Sequence, residues 1–161
     1  MFKIMSLLCL MSVQAFADPG AGSFAKYSYK SQSKSGTTSI GTQTDSIVTS
    51  DGQSFQLKTD MSVVGQVNEA ALWNLSGNYF SNTEYFINHC DQTGGNSESV
   101  TVASGTYDTC HILFKQPDPQ TVSQEIWLST LVLLFTVKQI RVTNDGSQIT
   151  LELEQFESKT L

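Results

Sequence analysis

Polar and apolar residues alternate along most of this chain with a period of two, the spacing of a strand that has one face in a core and the other in water. Over 24–30, Ala25, Tyr27 and Tyr29 share one face, and Lys26, Ser28 and Lys30 share the other. The pattern returns at 121–128, where Val122, Gln124, Ile126 and Leu128 oppose Thr121, Ser123, Glu125 and Trp127. It is cleanest in 137–142 and 148–156, which flank the turn Thr143-Asn-Asp-Gly-Ser and read as a hairpin with Ile149, Leu151 and Leu153 facing one way. A further two-strand unit is expected over 97–114, its arms meeting at Gly105.

Residues 31–60 are dominated by Ser, Thr, Gln and Gly, but Ile40, Ile47, Val48, Phe55 and Leu57 recur between turn signals at 34–36 and 50–53. This is the pattern of polar antiparallel strands joined by tight turns. Residues 70–75 and 79–87, about the turn Ser76-Gly77-Asn78, read as a hairpin that carries much of the aromatic mass. The main place for a short helix is 68–73, because Ala and Leu favour one. The run 131–137 reads as a doubly buried strand or a ligand-facing surface, and it is too short to span a bilayer. About ten or eleven short strands between regular turns predict an all-β domain with room for one short helix.

The N-terminus breaks this pattern. Lys3, an apolar run over 4–13, and the small residues Ala15 and Ala17 form a secretory signal peptide over 1–17, cut before Asp18. The run falls short of the roughly 18 residues a membrane anchor needs, so no stable membrane span is expected. Cys9 lacks the small residues that precede a lipidated cysteine. Residues 18–23, Asp-Pro-Gly-Ala-Gly-Ser, read as a flexible leader, and 24–161 as a single β domain. Export to a periplasmic or secreted location leaves Cys90 and Cys110 as the remaining thiols, which pair as one disulfide.

Loss of Lys3 leaves eight basic against 15 acidic residues, a net charge of −7. No basic stripe exists to neutralise phosphates, so nucleic acid is not an expected partner.

The second half of the chain resembles a family of exported bacterial domains of unknown function with a strongly curved antiparallel sheet, similar to the half-barrel of periplasmic lipoprotein carriers. The residues that carry the resemblance are Glu98, Val100, Val102, Gly105, Thr106, Tyr107, Cys110 and Ile112, then Trp127-Leu-Ser, Val137-Lys138 and Ile149-Thr-Leu-Glu-Leu. They span roughly the C-terminal 40 per cent of the chain. The chain departs from the family pattern at Ala103-Ser104, where Pro-Ala is usual, and at 131–135, where glycines are. The resemblance implies a half-barrel or open barrel and an envelope compartment, and no catalytic residue.

His89-Cys90 and Cys110-His111 contain the ligand types of a Cys2His2 metal site. Adjacent strand residues point to opposite faces, and exported thiols oxidise first, so neither a metal nor any other cofactor is expected. No nucleophile motif is present, and Asp91, Glu98, Asp108 and Glu125 are scattered, so the chain is not expected to be an enzyme.

A curved sheet exposes a concave face that needs a cover or an apolar guest. The first functional expectation is a carrier-like binding protein that holds an apolar small molecule, a lipid or a lipidated envelope partner there, with Trp73, Phe86, Trp127, Leu133 and Phe135 as lining residues. The alternative is a cell-envelope scaffold that binds a protein partner through a sheet edge.

Overall fold

The computed structural model describes residues 19–51 and 53–159. The expected signal peptide, its cut and Asp18 lie outside the described residues.

Nine strands follow one another as β1 (Phe24–Gln32), β2 (Thr38–Ser50), β3 (Ser54–Val63), β4 (Glu69–Ser76), β5 (Asn96–Val102), β6 (Gly105–Lys115), β7 (Thr121–Leu128), β8 (Thr136–Thr143) and β9 (Gln148–Glu157). All pair antiparallel in one sheet ordered β4-β3-β2-β1-β9-β8-β7-β6-β5. The sheet does not close into a barrel, so the fold is an all-β, open half-barrel with one short helix, α1 (Asn78–Asn88). Two meanders run outward from a central β1–β9 pair, in which Tyr27 lies opposite Leu153 and Tyr29 opposite Leu151. β4 and β5 are consecutive in sequence yet form the two edges. The segment joining them must therefore cross a face of the sheet, and α1 makes that crossing.

We call the face under α1 the inner face. Ala25, Tyr27, Ile47, Phe55, Val137 and Leu153 are buried there, and they lie in one apolar cluster with Phe80 of α1. Each Ile, Phe, Val or Leu side chain among them contributes about 1.5–3 kcal/mol when removed from water. The outer face carries the alternate residues, among them Lys26, which pairs with Glu154 at 3.4 Å, and Lys138, which pairs with Glu152 at 2.8 Å.

The hairpins expected around Gly105 and around 143–147 are present. Gly105 takes φ 146°, which a side chain rarely adopts. Five expectations are corrected. Among the described residues the strands number nine, not about ten or eleven. The second arm of the expected aromatic hairpin is α1, and the expected helical segment lies largely in strand β4. The apolar run 131–137 is not a strand; 129–135 form a loop, and β8 begins at Thr136. The described part of the expected leader is built into the fold. Ser23 is fully buried, its Oγ accepts from the Lys159 N–H at 2.8 Å, and Gly22 N–H donates to the Ile47 carbonyl at 2.7 Å.

Candidate functional site

The best-formed apolar recess lies on the inner face, where α1 meets the loop 129–135. In α1, the spacing of Tyr79, Phe80, Thr83, Phe86 and Ile87 puts these side chains toward the sheet at helical period. The helix has eleven residues, Gly77 at its N-cap makes no side-chain cap bond, and there is neither an acid in the first turn nor a base in the last to complement the helix dipole. A helix this short is marginal by itself, since isolated helices need roughly 12–15 residues. Its attachment is local: Phe80 is its one buried residue. The Phe80 ring meets Phe55 edge-on with centroids 4.8 Å apart, and Phe135 at 5.8 Å. Tyr79 adds an edge-on contact to Phe80 at 5.2 Å.

Both ends of α1 are tethered. Gly77 N–H donates to the Gln53 carbonyl at 2.6 Å. Just past its C-terminus, Cys90 is bonded to Cys110 of β6 with the Cα atoms 5.5 Å apart. Gly95 packs so closely on this disulfide that a Cβ there would lie 2.6 Å from each sulfur, which only glycine permits.

The loop 129–135 plugs the space beside the helix. Val132, Leu133, Leu134 and Phe135 are buried, whereas Leu131 points to solvent. Its backbone closes on itself through Ser129 N–H to the Phe135 carbonyl at 2.7 Å and Thr136 N–H to the Leu134 carbonyl at 2.8 Å. Leu134 and Phe135 hold φ 61° and 63°, a left-handed conformation that costs non-glycine residues about 1–3 kcal/mol each. Burial of four apolar side chains offsets that strain.

Between helix and loop remains a cavity of about 110 Å³, lined by Phe80, Glu84, Leu133, Leu134, Phe135 and Phe156 among others. Deeper on the inner face of β2, Gln43 Nε2 donates to both carboxylate oxygens of Asp45, at 3.2 and 3.0 Å. Burial pushes the Asp45 carboxyl above its usual range despite help from Thr59 and Gln43. Burial also raises the phenols of Tyr27 and Tyr79, and the Asp45 charge adds to both shifts.

Of the five expected lining residues, Leu133 and Phe135 meet at this cavity. Phe86 packs instead with Cys90, Cys110 and Ile112 under the far end of α1. Trp73 is 57% exposed on edge strand β4, in register with Leu57. Trp127 lies on the outer face, because Leu128 beside it packs inward. There its ring stacks on His111 at 4.2 Å and 4°, lies under Lys138 and hydrogen-bonds Glu98 through Nε1. His111 also meets Glu98 at 3.2 Å and Glu125 at 3.0 Å. This cross-strand ladder joins four strands, β5 to β8, and is a structural clamp. The thiols of the imagined Cys2His2 set are consumed by the disulfide, and His89 stacks on Tyr85 at 4.1 Å.

Sequence reasoning missed Val132, Leu134, Glu84 and Phe156 as cavity residues. The apolar run contained the first two; Glu84 becomes visible only once the segment is read at helical period.

No family model and no curated protein matches this chain. Solved structures similar to it include two at 9% identity. One is MucB, with a TM-score of 0.45 over 89% of this chain; the chain spans 55% of the length of that protein. The other is a DUF1329 family protein from Desulfovibrio piger, with a TM-score of 0.27 over 85% of each chain.

Proposed function

We propose that this chain is an exported, non-enzymatic binding protein that holds an acyl chain, free or on a lipidated partner, between α1 and the loop 129–135. The observation that carries this reading is the apolar cavity itself, walled by Phe80, Leu133, Leu134, Phe135 and Phe156, with Glu84, Ser81 and Ser158 as its polar lining. An acyl tail meets the apolar wall while a head group stays with the polar side chains. At about 110 Å³ the cavity is smaller than the roughly 300–1,000 Å³ of most small-molecule sites, so entry of a long chain requires α1 to move outward. The weak capping of α1 and its single buried anchor favour that motion, and the left-handed pair Leu134-Phe135 marks the loop as the other part that rearranges.

Glu84 is the one ionisable side chain among the described lining residues, so the wall lacks the paired acid and base that hydrolytic chemistry uses. The Cys90–Cys110 disulfide suits an oxidising compartment outside the cytoplasm, in keeping with the signal peptide read from 1–17. Among the described residues no helix is long and apolar enough to cross a membrane.

Native mass spectrometry of the mature protein taken from its own envelope tests the reading. The expected spectrum contains a bound species of fatty-acid or lipid mass that Leu133→Asp protein lacks. A bare polypeptide mass in every preparation counts against an acyl ligand.

A further inference from the structure

The two edges of the sheet differ in the apolar surface they expose, since β4 presents large exposed hydrophobic side chains and β5 does not. β5 reads Asn96-Ser-Glu-Ser-Val-Thr-Val, and the end of its hairpin is tied back across the sheet. There Ser104 donates to the Leu153 carbonyl from both its N–H, at 3.3 Å, and its Oγ, at 3.1 Å. β4 reads Glu69-Ala-Ala-Leu-Trp-Asn-Leu-Ser and, like β5, contains no lysine and no proline. Its register with β3 runs from Met61↔Glu69 to Ser54↔Ser76 without a bulge. Leu72 is 62% exposed on the outer face, Trp73 is exposed on the inner face, and Val64 and Val67 stand open in the turn before the strand. Along its free side, β4 has no strand partner among the described residues.

We propose that β4 pairs antiparallel with β4 of a second copy, about a two-fold axis normal to the sheet, which joins the two nine-stranded sheets into one. A strand is what satisfies a row of free backbone donors and acceptors, and β4 is its own complement. Centred on Leu72, the pairing sets Leu72 of one copy against Leu72 of the other, and Trp73 against Ala71. Each pair lies on one face, as directly opposite residues must. The single charge of the strand, Glu69, then faces Leu75. The two Glu69 side chains lie roughly 20 Å apart, beyond the ~8 Å over which salt screens them, so the acidic character of the whole chain does not oppose this contact locally. The surface buried by one strand pair is below the roughly 1,200–2,000 Å² of stable interfaces, so the dimer is weak and depends on concentration. This inference stands apart from the acyl-binding reading, because β4 contributes no residue to the cavity wall.

Sedimentation velocity of the mature chain from Asp18, over a concentration series at physiological salt, tests the pairing. The wild type is expected to shift from monomer to dimer. Leu72→Lys is expected to stay monomeric with an unchanged circular dichroism spectrum, and Ser99→Lys on the other edge to dimerise as the wild type does. Oxidised Leu72→Cys protein is expected to form a covalent dimer, which keeps the test open if the lysine variant fails to fold. A wild type that is monomeric at every concentration, loss of the dimer in Ser99→Lys, or a Leu72→Cys protein that does not cross-link overturns the proposal.

Discussion

Asp45 is a carboxylate on a largely apolar face, and its two partners only partly offset its burial. Because its pKa in the folded chain is raised above the ordinary 3.8, the folded state holds this proton more tightly than the unfolded one. Below the ordinary value both states are protonated and no penalty exists. As pH rises through the raised value, the folded state is left with an unfavourable buried charge. Asp45→Asn is therefore expected to raise the melting temperature at about pH 7, with a gain that shrinks toward zero as pH falls below the ordinary carboxylate range. A loss of stability at neutral pH would show that the Gln43 and Thr59 contacts outweigh the burial. Three exposed turn aspartates act in the opposite sense. Asp51, Asp118 and Asp145 accept bonds from the N–H or hydroxyl groups of Gln53 and Ser54, of Gln120 and Thr121, and of Thr143 and Ser147, and these bonds hold their carboxyls below the usual value. Their contribution is present above that value and is lost as pH falls through the lowered pKa values. Which cysteines pair was legible at this scale, from their parity once the expected signal peptide is set aside. The face taken by Trp127 was not: alternation separates two faces without saying which one meets the core, and stacking with His111 under Lys138 placed this ring outside.

At the scale of elements, α1 and the loop 129–135 are where local pattern misled. Tyr, Phe and Ile favour strands in general, so 79–87 read as a strand until their period of three and four was matched to the inner face. A short apolar run reads equally well as a strand or as a buried loop, and two left-handed residues in succession leave no sequence mark when neither is glycine. What survived was the consequence of the run, burial of Leu133 and Phe135 beside the candidate site. The disulfide anchors α1 just beyond its C-terminus, across 20 residues of chain, and in the loop-entropy account it contributes about 3 kcal/mol. Cys110→Ser is accordingly expected to lower thermal stability, and hydrogen exchange should locate the largest rise in opening over 78–92. A uniform rise across the sheet with no excess in α1 would mean that the helix is held by Phe80 and Tyr79 rather than by its tether.

For the whole molecule, the class was legible because nine amphipathic strands separated by turn residues admit little else. The strand order was not, since alternation says which face a residue takes and nothing about its neighbours. Pairing of β1 with β9 puts the two ends of the domain at the centre, sends β4 and β5 to opposite edges, and obliges the connection between them to cover the inner face. A cover held by one buried aromatic residue and two tethers, above a partly empty apolar recess, is the arrangement from which acyl binding is inferred. Titration of the mature protein with a fluorescent fatty-acid probe tests that inference most directly. The expected result is saturable uptake, reversed by unlabelled fatty acid and lost in a Leu133→Asp protein that still folds. If the wild type takes up no probe while Leu133→Asp unfolds, the recess is only part of the core and the inner face holds no ligand.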